Sequence, residues 1–343
     1  MSTPSTTAAA ATTELEAPRF TDVLDARRQI RPYLEPTPLR RYPALSALTG
    51  APTWVKHENF QATGAFKIRG GLNLVSRLTD EERLRGVIAA STGNHGQSIA
   101  YAARTFGVRA IICAPISANR LKVASMRELG AEVILHGTDF DEAREQCEQL
   151  ASQHGYRYVH SGNEPLLIAG VGTHTVETFE SQPDLEVLIV PIGGGSGAAG
   201  ACIAAHAIDH AVEVIGVQSE QAPAAYRSWQ QRRLTTADNT TMAEGLATRT
   251  AFDLPQRILR ELLADFVLVS DDEIRAAVRL MIERTRTLVE PAGAAPLAAA
   301  IKLRDRLQGR RLALVCSGAN ITPEQLQAVL SVQSPDGVPS GAA

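Results

Sequence analysis

The chain has 343 residues, 44% of them hydrophobic and 21% charged, with a formal charge of −3; that length suffices for two domains or one large α/β unit around a buried core. Its 34 Lys+Arg are interspersed with 37 Asp+Glu, which excludes the massed basic blocks of a nucleic-acid footprint. No apolar run reaches the length of a membrane span. The opening stretch, MSTPSTTAAAATTELEA, lacks both the basic and the apolar regions of a secretion signal and the arginines of a transit peptide. Small, polar and unpatterned, residues 1–17 are expected to form a disordered tail.

From about Glu82 onward short apolar runs alternate with amphipathic stretches. Gly86–Ser91 reads as a buried strand and Asn94–Phe106 as a helix closed by Gly107. Val108–Pro115, Asn119–Leu129, Ala131–Gly137, Asp139–His154 and Tyr156–Ser161 continue the alternation. After a linker at Gly162–Pro165 come a helix through Ile168–Glu180, a strand at Leu185–Ile192 and an Ala-rich helix at Gly197–Ile208. Val212–Gln218, Phe266–Ser270 and Arg311–Gly318 read as further strands. Ser270 with Glu273 signals a capping box opening a helix through Arg284, and Thr322, Pro323 and Gln325 signal another. The pattern ends near Val332, and residues 333–343 are expected to be loose. Strand–helix alternation predicts an α/β fold with a parallel sheet covered on both faces. Residues 18–80 and 162–332 would form one larger discontinuous unit and 85–160 a smaller inserted one.

Cys113, Cys147, Cys202 and Cys316 are scattered, with no CxxC pair. Reduced thiols in a cytoplasmic protein are therefore expected, rather than disulfides or a zinc knuckle. His206 and His210 share a helical face at a spacing that can clamp a metal, yet no carboxylates cluster beside them, so ordinary solvated or packed histidines are the reading. The same holds for His57 and His174, and Arg232–Arg233 reads as a surface turn.

Three segments carry chemistry. PIGGGSGAAG (Pro191 to Gly200) lies between a strand and a helix, where exposed N–H groups and the absence of Cβ atoms suit a phosphate. Gly195, Gly197 and Gly200 satisfy GxGxxG, with Glu220 about 20 residues further on as in a dinucleotide fingerprint. NAD(P) and pyridoxal phosphate are both candidates at this point; the Walker lysine is missing. Upstream, in KHENFQATGAFKIRGG, Lys67 follows Phe66 and has Arg69 close by. Desolvation and a cationic neighbour are the two ways to lower a lysine pKa from about 10.4 far enough for Schiff-base chemistry. STGNHGQ (Ser91 to Gln97) then joins hydroxyls, Asn94 and helix-start N–H groups into a seat for a carboxylate.

These pieces in this order resemble the fold type II pyridoxal-phosphate enzymes, in the branch of the serine/threonine dehydratases and serine racemases. The resemblance runs from about Phe20 to Val332 and rests on ENFQATGAFKIRG, STGNHGQ, GVGTHTVE, GGGSG, EPAGA (Glu290 to Ala294) and CSGAN (Cys316 to Asn320). It implies two open, mostly parallel sheets with the active site in the cleft between them, and a homodimer. It also implies that Lys67 anchors the cofactor covalently and removes the substrate's Cα proton, with Phe66 packing nearby. Asn94 would meet the cofactor's phenolic oxygen, and Ser91, Thr92, Gly93 and His95 would complete the loop that grips the substrate carboxylate. Gly193, Gly194, Gly195, Ser196 and Gly197 would cradle the phosphate. Ser317 would meet the pyridine nitrogen and Glu290 would lie beside the ring.

The implied reaction is elimination of water from a β-hydroxy-α-amino acid, giving a 2-oxo acid and ammonia. A hydroxyl at the pyridine nitrogen makes the ring a weaker electron sink than an aspartate would, which favours prompt loss of the β substituent. Dehydratases of this family generally carry Ala where this chain has Thr92, and the racemases carry Ser. An amino-acid racemase and a β-replacement enzyme of the same fold are the alternatives, and His95 after Asn94 leans toward deamination. The divalent-cation segment of the racemase branch corresponds to QSEQAPA (Gln218 to Ala224), which has lost all expected acidic ligands but a displaced Glu220, so no metal is expected.

Overall fold

The computed structural model describes residues 15–331, so the tails expected at 1–17 and 333–343 lie outside it apart from residues 15–17. Among the described residues, ten strands build two sheets. In chain order they are β1 (Leu39–Arg41), β2 (Thr53–His57), β3 (Val87–Ala90), β4 (Ala110–Ala114), β5 (Glu132–Leu135), β6 (Arg157–Tyr158), β7 (Val187–Pro191), β8 (Glu213–Ser219), β9 (Asp265–Val269) and β10 (Leu312–Cys316). The larger sheet has the order β1-β2-β10-β7-β8-β9 and the smaller β5-β4-β3-β6. Every pairing is parallel except that of β1 with β2.

The period-2 alternation of side chains explains why both faces of each sheet are covered. Val187, Ile189, Ile215, Val217, Leu312 and Leu314 enter one core, shared with the helices Asp271–Thr285 and Pro291–Lys302. Their neighbours Leu188, Val190, Val214, Ala313 and Val315 point the other way, toward the Ala-rich helix Ser196–Ile208. In the smaller sheet Val87, Ala89, Ala110 and Ile112 face one side, and Ile88, Ala90, Ile111 and Cys113 the other. Small residues on the helices let them approach the sheet closely, which accounts for the chain's excess of alanine.

Both expected capping boxes form. Ser270 Oγ accepts from the Glu273 amide at 3.2 Å while Glu273 accepts from the Ser270 amide at 2.6 Å. Thr322 and Gln325 do the same at 3.2 and 3.0 Å. The strand expected over Tyr156–Ser161 is only two residues long, because the chain turns at His160, whose Nδ1 accepts from the amides of Gly162 and Asn163. The linker is also shorter than expected, as the helix starts at Pro165. All four cysteines are buried and free. His206 and His210 face each other at 2.9 Å on the exposed surface, and His57 and His174 are buried. Among the described residues no helix is long and apolar enough to cross a membrane.

Candidate active site

Functional loops in parallel α/β sheets gather at the carboxyl ends of the strands. Here the glycine loop follows β7, Ser317 follows β10, the Ser91–Asn94 loop follows β3, and Lys67 closes the connection that leaves β2. Contacts between the two sheets' loops bring these segments together. Asn94 Nδ2 donates to Glu290 Oε1 at 2.8 Å, and Ser98 Oγ donates to the Lys67 carbonyl at 2.6 Å.

Lys67 precedes the helix Ile68–Val75. Its Nζ donates to Ser196 Oγ at 2.8 Å and to the Ser161 carbonyl at 3.1 Å. Removal of the amine from water lowers its pKa to about 8. The cationic neighbour expected from sequence does not contribute. Arg69 is turned away into a buried network, donating to Glu58 at 2.7 and 2.8 Å and to Glu177 at 2.6 and 2.7 Å. Lys56 joins it through Glu177 at 2.5 Å. Burial alone would raise the Glu58 carboxyl, but the Arg69 guanidinium holds it down to about 2. The charge of Arg69 is therefore cancelled where it stands, and desolvation is what activates Lys67.

Opposite the amine, the loop Gly193–Gly195 leads into the helix Ser196–Ile208, whose first N–H groups have no partner within the helix. Gly195 has φ +90°, a conformation that costs any residue with a Cβ. At Gly194 the Phe252 ring fills the space a side chain would need. Gly193 packs on the backbone of Gly245, and the Phe66 edge lies 2.9 Å from where a Cβ on Gly197 would sit. Protein thus presses on the loop from outside, and the helix start offers N–H groups to an anion beside the Lys67 amine.

The remaining side of the site is a hydrogen-bond chain. Asn320 Nδ2 donates to Asn94 Oδ1 at 2.7 Å and to the Thr63 carbonyl at 2.9 Å. Burial raises the pKa of Glu290, partly offset by nearby Lys122 and by the Asn94 hydrogen bond. Ser317 is buried, and its carbonyl accepts from the Phe66 amide at 3.0 Å. In the Ser91–His95 loop, Ser91 Oγ accepts from the amides of Gly93 and Gly96 at 3.1 and 2.9 Å. Thr92 is half-buried in that loop. The His95 ring runs inward to the Val159 carbonyl at 3.1 Å, and burial with nearby Lys67 lowers its pKa to about 3.

Ser161, Thr63 and Asn320 join the site without having been singled out from sequence. Two of them act through backbone carbonyls, which leave no trace in residue type, whereas Asn320 lies inside the CSGAN segment and was legible there. Glu220 of the dinucleotide reading is instead paired with Lys302 at 3.2 Å on the surface.

A family model described as pyridoxal-phosphate dependent enzyme matches residues 30–318. An L-threonine ammonia-lyase of Thermotoga maritima is 38% identical over 311 residues, 90% of this chain and 77% of that one. An L-threo-3-hydroxyaspartate ammonia-lyase of Saccharomyces cerevisiae is 35% identical over 316 residues, 92% of this chain and 97% of that one. The solved structure of maize serine racemase superposes with a TM-score of 0.87 at 29% identity, covering 92% of this chain and 97% of the other. The chain belongs to the pyridoxal-phosphate-dependent enzymes of fold type II, in the branch of the serine and threonine ammonia-lyases.

Proposed function

We propose that the enzyme is an ammonia-lyase that converts a β-hydroxy-α-amino acid of the threonine or serine type into a 2-oxo acid and ammonia. One observation carries this reading: a desolvated lysine amine, lowered to about 8, stands 2.8 Å from the first residue of a glycine-loop helix start. That pairing of amine and anion seat fits an aldehyde that carries a phosphate. When bound, pyridoxal phosphate supplies a carbonyl for the substrate's amino group and a conjugated ring that stabilises negative charge at Cα.

The chain's residues do the rest. Lys67 is the covalent anchor, and once released it takes the Cα proton, a role suited to an amine that titrates near the working pH. Gly193, Gly194, Gly195, Ser196 and Gly197 would hold the phosphate. Phe66 would pack beside the anchor, Ser317 would meet the ring nitrogen, Glu290 would flank the ring and Asn94 would meet the phenolic oxygen. Ser91, Thr92, Gly93, Asn94 and His95 seat the substrate carboxylate on the N–H groups that open the helix Asn94–Thr105. Loss of the β-hydroxyl as water leaves an enamine, and its later hydrolysis frees ammonia. Free buried cysteines support a cytoplasmic setting, and the family resemblance supports a homodimer.

The test is ammonia and 2-oxo acid release by the holoenzyme across threonine, serine, 3-hydroxyaspartate and phenylserine. Threonine and serine are expected to react fastest, with Lys67→Ala lowering turnover by about 10³-fold or more. Racemisation of serine without ammonia release would contradict the proposal.

A further inference from the structure

An ion pair that the chemistry above does not use joins the loops of the two sheets. Lys122 lies in the first turn of the helix Arg120–Glu128, beside the smaller sheet, and Glu244 opens the short turn Glu244–Leu246 of the larger unit. Lys122 Nζ donates to one Glu244 oxygen, and the other accepts from Gln325 Nε2 at 2.6 Å. Gln325 sits in the helix Pro323–Ser331. Both carboxylate oxygens are therefore engaged, one by each side of the cleft.

The position of this pair links it to both halves of the site. The Lys122 Cδ lies 3.6 Å from where a Cβ on Gly93 would stand, so its stem covers the substrate loop. Gly245, next to Glu244, packs against Gly193 of the phosphate loop. A Cβ on Gly245 would also stand 3.8 Å from Glu290 Oε1. The Lys122 side chain is 9% exposed, but that of Glu244 is 39% exposed. A pair buried at one end and wet at the other gives a contact of modest strength that breaks and reforms readily.

We propose that Lys122 and Glu244 form a clasp that holds the substrate loop closed against the phosphate-loop side of the cleft. They act as positioning residues, through Gly93 and Gly245, rather than on the reacting atoms. The inference rests on the reading of Ser91–His95 as the substrate seat. An amino acid must enter and a 2-oxo acid must leave, so the loop has to open in each cycle. A clasp outside the reacting centre sets how well the closed, substrate-gripping arrangement is populated, which appears in KM more than in kcat.

The experiment compares holoenzyme carrying Lys122→Met, Glu244→Gln, both changes, or Lys122→Arg. Glu244→Gln keeps one acceptor oxygen for Gln325 and removes both the charge and the acceptor that faces Lys122. Each single change is expected to raise KM about tenfold with kcat within about twofold, and the double change no further than either alone, because both remove the same contact. Lys122→Arg is expected to retain the wild-type KM. Without substrate, hydrogen exchange at residues 91–97 is expected to quicken in Lys122→Met and Glu244→Gln but not in Lys122→Arg. An unchanged KM and exchange rate in the single variants, or KM effects that multiply in the double variant, would overturn the clasp. A wild-type enzyme inactive toward every amino acid refutes the functional reading instead, while the exchange measurement still decides whether the pair closes the loop.

Discussion

Lys67 Nζ is held by Ser196 Oγ and the Ser161 carbonyl, and burial lowers its pKa from 10.5 to about 8. The depressed value means that deprotonation, and with it nucleophilicity, arrives as pH rises through about 8 rather than 10.5. Cofactor-free protein should therefore take up pyridoxal phosphate at a rate whose pH midpoint lies near 8. A midpoint near 10 would show an ordinary surface lysine. The residue itself was legible in the sequence because the motif around it is long. The cause of its reactivity was not, since Arg69, two positions away, is oriented by partners as distant in sequence as Glu177. Nothing local announces that pairing.

At the scale of elements, strands β3, β4, β7 and β10 were legible because each carries an unbroken apolar run buried on both faces. The three-residue β1 carries no such run, and the helix Pro291–Lys302 hides behind an internal Pro296. The shortened β6 reflects a competing demand, as the chain there turns to place the Ser161 carbonyl on Lys67. The buried network of Lys56, Glu58, Arg69 and Glu177 ties β2 and the helix Ile68–Val75 to the helix Pro165–Ser181. Arg69→Met leaves two buried carboxylates without their main partner and is expected to cost about 3–5 kcal/mol in urea unfolding. A loss below about 1 kcal/mol would mean that the network is not the tie between these elements.

At the scale of the whole molecule, burial holds four histidines neutral, His57, His160 and His174 lowered to about 4 and His95 to about 3. In the unfolded chain they titrate near 6.5, so between 6.5 and about 4 the unfolded state binds more protons and folding weakens as pH falls. Glu58 adds a second window: its folded value near 2 lies below the ordinary 4.5, so its contribution is complete above 4.5 and is lost as pH drops toward 2. The unfolding midpoint is thus expected to fall from about pH 6.5 downward, as these histidines begin to bind protons in the unfolded chain. A flat profile to pH 4.5 would contradict the buried-neutral assignment. The account as a whole turns on which nitrogen carries the cofactor, and peptide mass spectrometry of borohydride-reduced holoenzyme tests this most directly. The pyridoxyl mass is expected on Lys67 alone; a fully loaded enzyme with that mass on another lysine, or on none, would contradict it.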